Sequence, residues 1–152
     1  MIKLWIGFAL AVPLIAGCAS TGRNHASPEQ TPTTPPRQSA GLDRETALEV
    51  CKPPGEHAYL KRLRCTDGST PTYSRRGSVG TRHPATEGDE ERMLAQMDAQ
   101  HSLSPGEIDL HILDLYDVVC PEKVYSLFLD MYHCRQPTPD VAPLGLALAE
   151  NG

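Results

Sequence analysis

The residues best suited to chemistry lie in the last third of the chain, where acidic, imidazole and phenol side chains alternate with apolar ones. They are Asp109, His111, Asp130 and Tyr132. Two carboxylates beside a histidine can bind a metal ion or transfer protons. Alternation of this kind is also typical of a strand face that is turned toward water, and we prefer that interpretation. The sequence therefore predicts no metal site, no cofactor and no catalytic residue.

Sequence motifs for other kinds of catalysis are also missing. Ser126 lies in neither a Gly-x-Ser-x-Gly nor a Ser-x-x-Lys motif. Residues 77–80, Gly-Ser-Val-Gly, lack the lysine of a phosphate-binding loop. His133 continues the apolar side of its strand, so we expect a half-buried structural histidine. We therefore do not expect an enzyme, and a hydrolase or metal-dependent enzyme is the least favoured alternative.

Charge is unevenly distributed along the chain. Residues 52–83 carry seven Lys or Arg against two acids, whereas residues 84–152 carry thirteen acids against three bases. This asymmetry predicts a basic patch for an anionic partner, such as lipopolysaccharide, a cell-wall polymer or an acidic protein, or mutual neutralisation of the two halves within one domain. The patch would consist of Arg62, Arg64, Arg75, Arg76 and Arg82. The net charge of −5 argues against a nucleic-acid-binding protein.

The first eighteen residues predict the cellular compartment. Lys3 precedes a nearly unbroken apolar run, residues 4–15. This run is shorter than the roughly 20 residues of a membrane-spanning helix and suits a secretory signal peptide. It ends in Ile15-Ala16-Gly17-Cys18, and with these residues the chain resembles bacterial lipoproteins. The resemblance, which covers residues 1–18 only, implies removal of residues 1–17 and acylation of Cys18.

The residue after the cysteine points to one membrane. In Gram-negative lipoproteins an aspartate at that position favours retention in the inner membrane, and this chain has Ala19 instead. The resemblance therefore implies a lipid anchor in the outer membrane. We expect the rest of the chain to face the periplasm.

Composition divides the remainder into three parts. Residues 18–41 form the predicted tether, with four prolines and seven Ser or Thr between residues 19 and 40, because such a segment cannot bury enough apolar surface to fold. Residues 42–135 are the predicted globular domain. Residues 136–152 are predicted to be a flexible tail, although the apolar residues 144–148 are suited to weak docking on the domain.

Four cysteines remain after Cys18, and in an exported chain they predict two disulfide bonds. They are Cys51, Cys65, Cys120 and Cys134. If residues 124–133 form an extended strand, its ends lie about 33 Å apart, whereas bridged Cα atoms lie within about 7 Å. We therefore expect bridges between the two halves of the chain. An antiparallel neighbour would pair Cys65 with Cys120 and Cys51 with Cys134, and a parallel neighbour would exchange the partners. The chain contains no Cys-x-x-Cys motif, which is the spacing that would favour a zinc site or a redox pair.

The clearest predicted element is a hairpin of residues 108–119 and 124–133, with Val119 opposite Val124. Its apolar face would contain Tyr116, Val118 and Leu127, and its other face would be partly wet. The other expected elements, in chain order, are a helix over residues 44–50 capped by Asp43 and ended by Pro53-Pro54-Gly55, a strand over 57–64, a turn at Asp67-Gly68, a strand over 70–74, a loop from Gly77 to His83-Pro84 and a helix over 89–100.

Together these patterns predict a small single α+β domain with an antiparallel sheet of about four strands, one or two short helices and two disulfides. The predicted function is that of a membrane-anchored envelope lipoprotein that binds another envelope component without catalysis. The alternative is a structural lipoprotein without a discrete ligand.

Overall fold

The computed structural model describes residues 39–149. The elements of this part are β1 (Leu48–Glu49), α1 (Lys52–Arg62), β2 (Leu63–Arg64), β3 (Thr72–Thr81), α2 (Glu90–Gln96), β4 (Ile112–Val119), β5 (Val124–Asp130) and β6 (Ala147–Leu148). The predicted α+β class, with a four-stranded sheet, two helices and two disulfides, is confirmed. The predicted signal peptide, Cys18 and most of the predicted tether lie outside the described residues. Between residues 39 and 149, neither helix has the length and apolar character needed to cross a membrane.

The hairpin of β4 and β5 lies at the centre of the sheet, whose strand order is β1-β5-β4-β3. Val119 pairs with Val124, as the sequence predicts, and Tyr116 therefore lies opposite Leu127. Both of these side chains are buried, because alternation places them on the face that packs against the rest of the core. The strands are shorter than predicted, beginning at residue 112 and ending at residue 130.

Strand β3 forms one edge of the sheet and is longer than the sequence suggested. It continues through two glycines that we expected in a loop, with irregular pairing to β4 between Arg75 and Gly77 and between Ser78 and Thr81. Gly77 and Gly80 have φ values of 136° and 88°. Glycine adopts such angles without a steric penalty, so these residues allow the strand to bulge rather than end.

The other edge is the two-residue strand β1, where the sequence predicted a helix over residues 44–50. That prediction was wrong. The Asp43 carboxylate does accept a hydrogen bond from the Thr46 backbone, as in a helix cap, but the chain turns and then extends. Leu48 pairs in parallel with Leu129, which makes the sheet mixed rather than antiparallel. Leu48 and Val50 are both buried, two residues apart, and this is the spacing of a strand.

Helix α1 replaces the strand predicted over residues 57–64. Pro53 and Pro54 lie in its first turn, where a missing N–H costs no hydrogen bond, so they begin the helix instead of ending one. Glu56, Tyr59 and Leu60 are its buried residues, and their spacing places them on one helical face. The strand prediction failed because the irregular apolar alternation of this segment concealed the helical period.

The hydrophobic core is built from α1 and the hairpin. Its members include Tyr59, Leu60 and Leu63 from α1 and β2, together with Tyr116, Val118, Leu127 and Leu129 from the sheet. Strand β2 extends directly from α1 and pairs antiparallel with β6. The C-terminal segment therefore packs on the domain, whereas the sequence suggested a loose tail with weak docking. The Tyr59 hydroxyl also donates a hydrogen bond to the Val141 carbonyl.

Helix α2 is shorter than the predicted residues 89–100 and holds the chain that leads into β4. The side chain of Gln96 is fully buried. Its amide nitrogen donates to the Ile108 carbonyl and to Glu107, and its amide oxygen accepts from the Leu110 backbone. This one residue therefore connects α2 to residues 107–110.

Candidate functional site

Four chemically competent side chains meet where β5 ends. Asp109 and His111 precede β4, Asp130 is the last residue of β5, and His133 follows three residues later. One possible ligand atom from each lies within 4.8 Å of the others, and we call these four residues the Asp–His cluster. The sequence brought Asp109, His111 and Asp130 together correctly but placed them on a wet face. That placement was wrong, because all three residues are buried, as is His133.

Asp130 is the centre of the cluster. Its Oδ2 atom accepts hydrogen bonds from Nδ1 of His111 at 3.1 Å, Nε2 of His133 at 3.1 Å and Nη2 of Arg82 at 3.0 Å. Its Oδ1 atom accepts from the backbone N–H of Tyr132 at 3.1 Å. The carboxylate is fully buried, so these four donors replace the water that it would have bound.

Asp109 and Glu49 supply further negative charge. Oδ1 of Asp109 is 3.0 Å from Nδ1 of His111, and its Oδ2 is 2.9 Å from Nε of Arg82. The two carboxylate oxygens of Glu49 lie 3.6 Å from Arg82 and 3.5 Å from His133. Three carboxylates thus surround one guanidinium and two imidazoles.

The pKa values of the cluster follow from burial and these contacts. Burial alone would lower the pKa of His111, but its hydrogen bonds to Asp109 and Asp130 outweigh this effect and raise the pKa to about 9. Burial would raise the pKa of Asp130, yet the hydrogen bonds from both histidines and the charge of Arg82 hold it well below its usual range. The pKa of Asp109 is lowered for similar reasons. Asp130 and Asp109 therefore remain ionised inside the protein.

Aromatic contacts fix the two imidazoles. The Tyr132 ring stacks on His111 with ring centroids 5.2 Å apart, and His133 meets His111 edge-on at 4.8 Å. Tyr132, which the sequence grouped with this cluster, thus packs against it as a buried wall. Its pKa is raised by burial, which keeps the phenol protonated.

The sequence-predicted arginines do not form one exposed patch. Arg82 is buried in the Asp–His cluster, whereas Arg75 pairs with Asp114 and Arg62 with Asp140, each at 2.6–2.8 Å. Arg76 lies 3.8 Å from Asp117, and Arg64 donates to backbone carbonyls. Four of the five therefore contact acids of the C-terminal half. Binding of an anionic partner by the exposed arginines stays a prediction.

Disulfide bonds connect Cys51 to Cys134 and Cys65 to Cys120. This is one of the two crossed arrangements that the sequence left open. A strand running antiparallel to residues 124–133 was one of the two predicted ways to bring cysteines of the two halves together, but helix α1 performs that role by spanning the distance between the two bridges.

A second buried ionisable group was missed in the sequence. Glu56 lies on α1 and is 1% exposed, with its Oε2 accepting a hydrogen bond from the Tyr116 hydroxyl at 2.9 Å. Burial raises its pKa to about 7, although the Tyr116 hydrogen bond opposes this shift. Arg82 and Glu49 were also missed as neighbours of the Asp–His cluster, because nothing in their local sequence places them near residues 109–133.

The chain matches no family model, and neither the curated proteins nor the solved structures contain a significant match. Within residues 39–149, the Asp–His cluster offers nitrogen and oxygen ligands for a cation, and its carboxylates are held by internal partners rather than presented to a substrate.

Proposed function

We propose that this chain is a lipid-anchored envelope protein whose domain acts as a non-enzymatic interaction module in the periplasm. The anchor is Cys18, within Ile15-Ala16-Gly17-Cys18. The two disulfides, whose cysteines are 83 and 55 residues apart in sequence, support an extracytoplasmic location. Such bonds persist in oxidising compartments and are rare in the cytosol.

The proposal that the domain binds a partner rests on an exposed apolar surface. Leu94 lies on α2, Met97 directly follows the last residue of this helix, and their side chains are 70% and 41% exposed. Ile108 is 53% exposed, and its carbonyl accepts the hydrogen bond from Gln96, which places this residue close to the C-terminal end of α2. We call Leu94, Met97 and Ile108 the α2 surface. Neighbouring exposed apolar side chains are typical of sites where proteins associate.

A cleft continues from the α2 surface. Its volume is about 310 Å³, and Met97, Met131 and Tyr132 contribute to its lining. Methionine side chains are flexible and polarizable, and they adapt to the shape of a bound group. The cleft and the α2 surface together offer a partner exposed apolar side chains beside a recess.

Membrane attachment is tested by cell fractionation of a Cys18→Ser variant. We expect this variant to leave the sedimented envelope and appear in the soluble fraction, because the acyl chains supply the membrane affinity. Ala19→Asp keeps the cysteine and should move the protein from the outer to the inner membrane. Retention of Cys18→Ser in the sedimented envelope, as firmly as the wild type, would refute the anchor.

The interaction surface is tested by cross-linking and capture from solubilised envelopes. Leu94→Asp should weaken recovery of a stoichiometric partner at least about tenfold, since burying a leucine side chain is worth about 1.5–3 kcal/mol. Val124→Asp is the matched control, because Val124 is 54% exposed but pairs with Val119 at the far end of β4. Equal recovery with both variants would exclude the α2 surface. Repeated recovery of no partner would favour the structural lipoprotein.

A further inference from the structure

We propose that the Asp–His cluster binds one Zn²⁺ ion through its two imidazoles and two carboxylates. This inference is independent of the proposed interaction function, because it concerns the buried end of β5 rather than the α2 surface. It also differs from what the sequence predicts, since alternation with apolar residues suggested a solvated strand face there.

The donor atoms of the cluster are close enough together for one Zn²⁺ ion to bind them. In a tetrahedral Zn²⁺ site with bonds near 2.0–2.1 Å, neighbouring ligand atoms lie about 3.4 Å apart. Nδ1 of His111 is 3.0 Å from Asp109 and 3.1 Å from Asp130, and Nε2 of His133 is 3.1 Å from Asp130. All four ligand atoms lie within 4.8 Å of one another. The most distant pair must approach by about 1.4 Å at most, which side-chain rotation supplies.

The surroundings of the cluster contain more acidic groups than arginines. Asp109, Asp130 and Glu49 contribute three negative charges, and Arg82 contributes one positive charge. The carboxylates therefore outnumber the guanidinium. The metal-free protein offsets part of this excess with a proton on His111, and Zn²⁺ bound at Nδ1 would take the place of that proton. Buried charge is costly unless it is paired, and one divalent cation provides the missing charge in a single group.

The contacts of Arg82 are compatible with such an ion at Asp109. The guanidinium approaches Oδ2 of Asp109, whereas His111 approaches Oδ1. One oxygen can therefore face the metal while the other keeps its arginine, which is the usual arrangement of a liganding carboxylate held by an outer partner.

A neighbouring cleft gives an ion access to this region. Glu49, His101 and His133 help to line this cleft, whose volume is about 160 Å³. His133 thus gives an ion a route from this cleft into the cluster.

The donor set identifies the ion and its role. All four cysteines after residue 50 are in disulfides, so the available donors are imidazole nitrogen and carboxylate oxygen. Zn²⁺ accepts both in a tetrahedral geometry. Four protein ligands close the coordination sphere, which is typical of structural rather than catalytic zinc. The ion would fasten the end of β5 to the segment that precedes β4.

The test uses the full-length purified protein without a histidine tag, stripped with chelator and titrated with ZnCl₂ by isothermal calorimetry. We expect one Zn²⁺ per chain, a raised midpoint of thermal unfolding and, with Co²⁺ as a probe, the visible absorption bands of a tetrahedral nitrogen–oxygen site. His133→Gln should weaken Zn²⁺ binding by at least about 100-fold, because it removes a ligand. His101→Gln is the matched control, since His101 lines the same cleft outside the cluster.

Three outcomes would overturn the proposal. The first is the absence of Zn²⁺ binding by the wild type, which would mean that protons alone balance the charge. The second is equal affinity in the wild type and His133→Gln. The third is equal loss in His101→Gln, which would place the ion in the cleft. If His133→Gln does not fold, the Co²⁺ spectrum of the wild type and the affinity of Asp109→Asn decide instead.

Discussion

Replacing Glu56 with glutamine should change how the stability of the protein depends on pH. Glu56 is buried on α1, and only one of its carboxylate oxygens has a hydrogen-bond partner among the described residues, the Tyr116 hydroxyl. Burial raises its pKa from 4.5 to about 7, and the negative charge of nearby Asp114 adds to this effect. The folded protein therefore holds a proton that the unfolded chain releases at lower pH.

The sign and size of the effect follow from this difference. Below pH 4.5 the carboxyl group is protonated in both states, so its full contribution to stability is present. As the pH rises from 4.5 to 7 only the unfolded chain ionises, and the free energy of unfolding falls by about 1.4 kcal/mol per pH unit. The total loss is about 3 kcal/mol, and it is complete once the pH exceeds the folded pKa of about 7.

Glu56→Gln cannot ionise and keeps an acceptor for Tyr116. Urea unfolding at a series of pH values should show the variant gaining up to about 3 kcal/mol on the wild type between pH 4 and pH 8. Groups such as His111 titrate in both proteins, so the difference between them isolates Glu56. The exposed Glu87→Gln serves as the control and should follow the wild type. Parallel curves for Glu56→Gln and the wild type would refute the reasoning.

Three other experiments on variants have expected outcomes. Asp130→Asn should lower the free energy of unfolding by about 3–5 kcal/mol, measured by urea denaturation, because it leaves buried cations without their carboxylate. A loss below about 1 kcal/mol would contradict the network described above. Removing one bridge with Cys65→Ser and Cys120→Ser should lower the free energy of unfolding by about 4 kcal/mol, as the loop-entropy model gives for a separation of 55 residues. Urea denaturation measures this loss, and thiol titration checks that no other thiol appears. Gly145→Ala should lower the midpoint of thermal unfolding more than Gly68→Ala does. Both glycines have positive φ, but only at Gly145 of these two would the new Cβ lie 2.6 Å from another atom, the Tyr125 hydroxyl oxygen. Equal losses would show that backbone strain alone matters.

The parts of the fold that were predictable are those determined by local patterns. The hairpin register follows from two alternating segments around Cys120-Pro121-Glu122-Lys123, which is a turn signal at short range. The crossed disulfides follow from the length of an extended strand, which keeps Cys120 away from Cys134. Neither inference requires knowledge of distant neighbours.

The parts that were missed depend on such neighbours. Pro53 and Pro54 end a helix or begin one, and only the tertiary position of β1 determines that they begin α1. Asp130 looks like a solvated strand residue until Arg82, 48 residues away in sequence, supplies its counter-charge inside the protein. Local alternation therefore identifies which residues share a face, but it does not determine whether that face meets water.

Helix α1 also has a consequence for oxidative folding. If the chain is exported from its N-terminus as proposed, Cys51 and Cys65 both reach the oxidising compartment before either of their native partners. The 11-residue helix between them is about 16 Å long, well beyond the roughly 7 Å at which two cysteines can join. A helix that forms early would thus act as a spacer that discourages a premature bond and keeps both thiols available for the strands that arrive later.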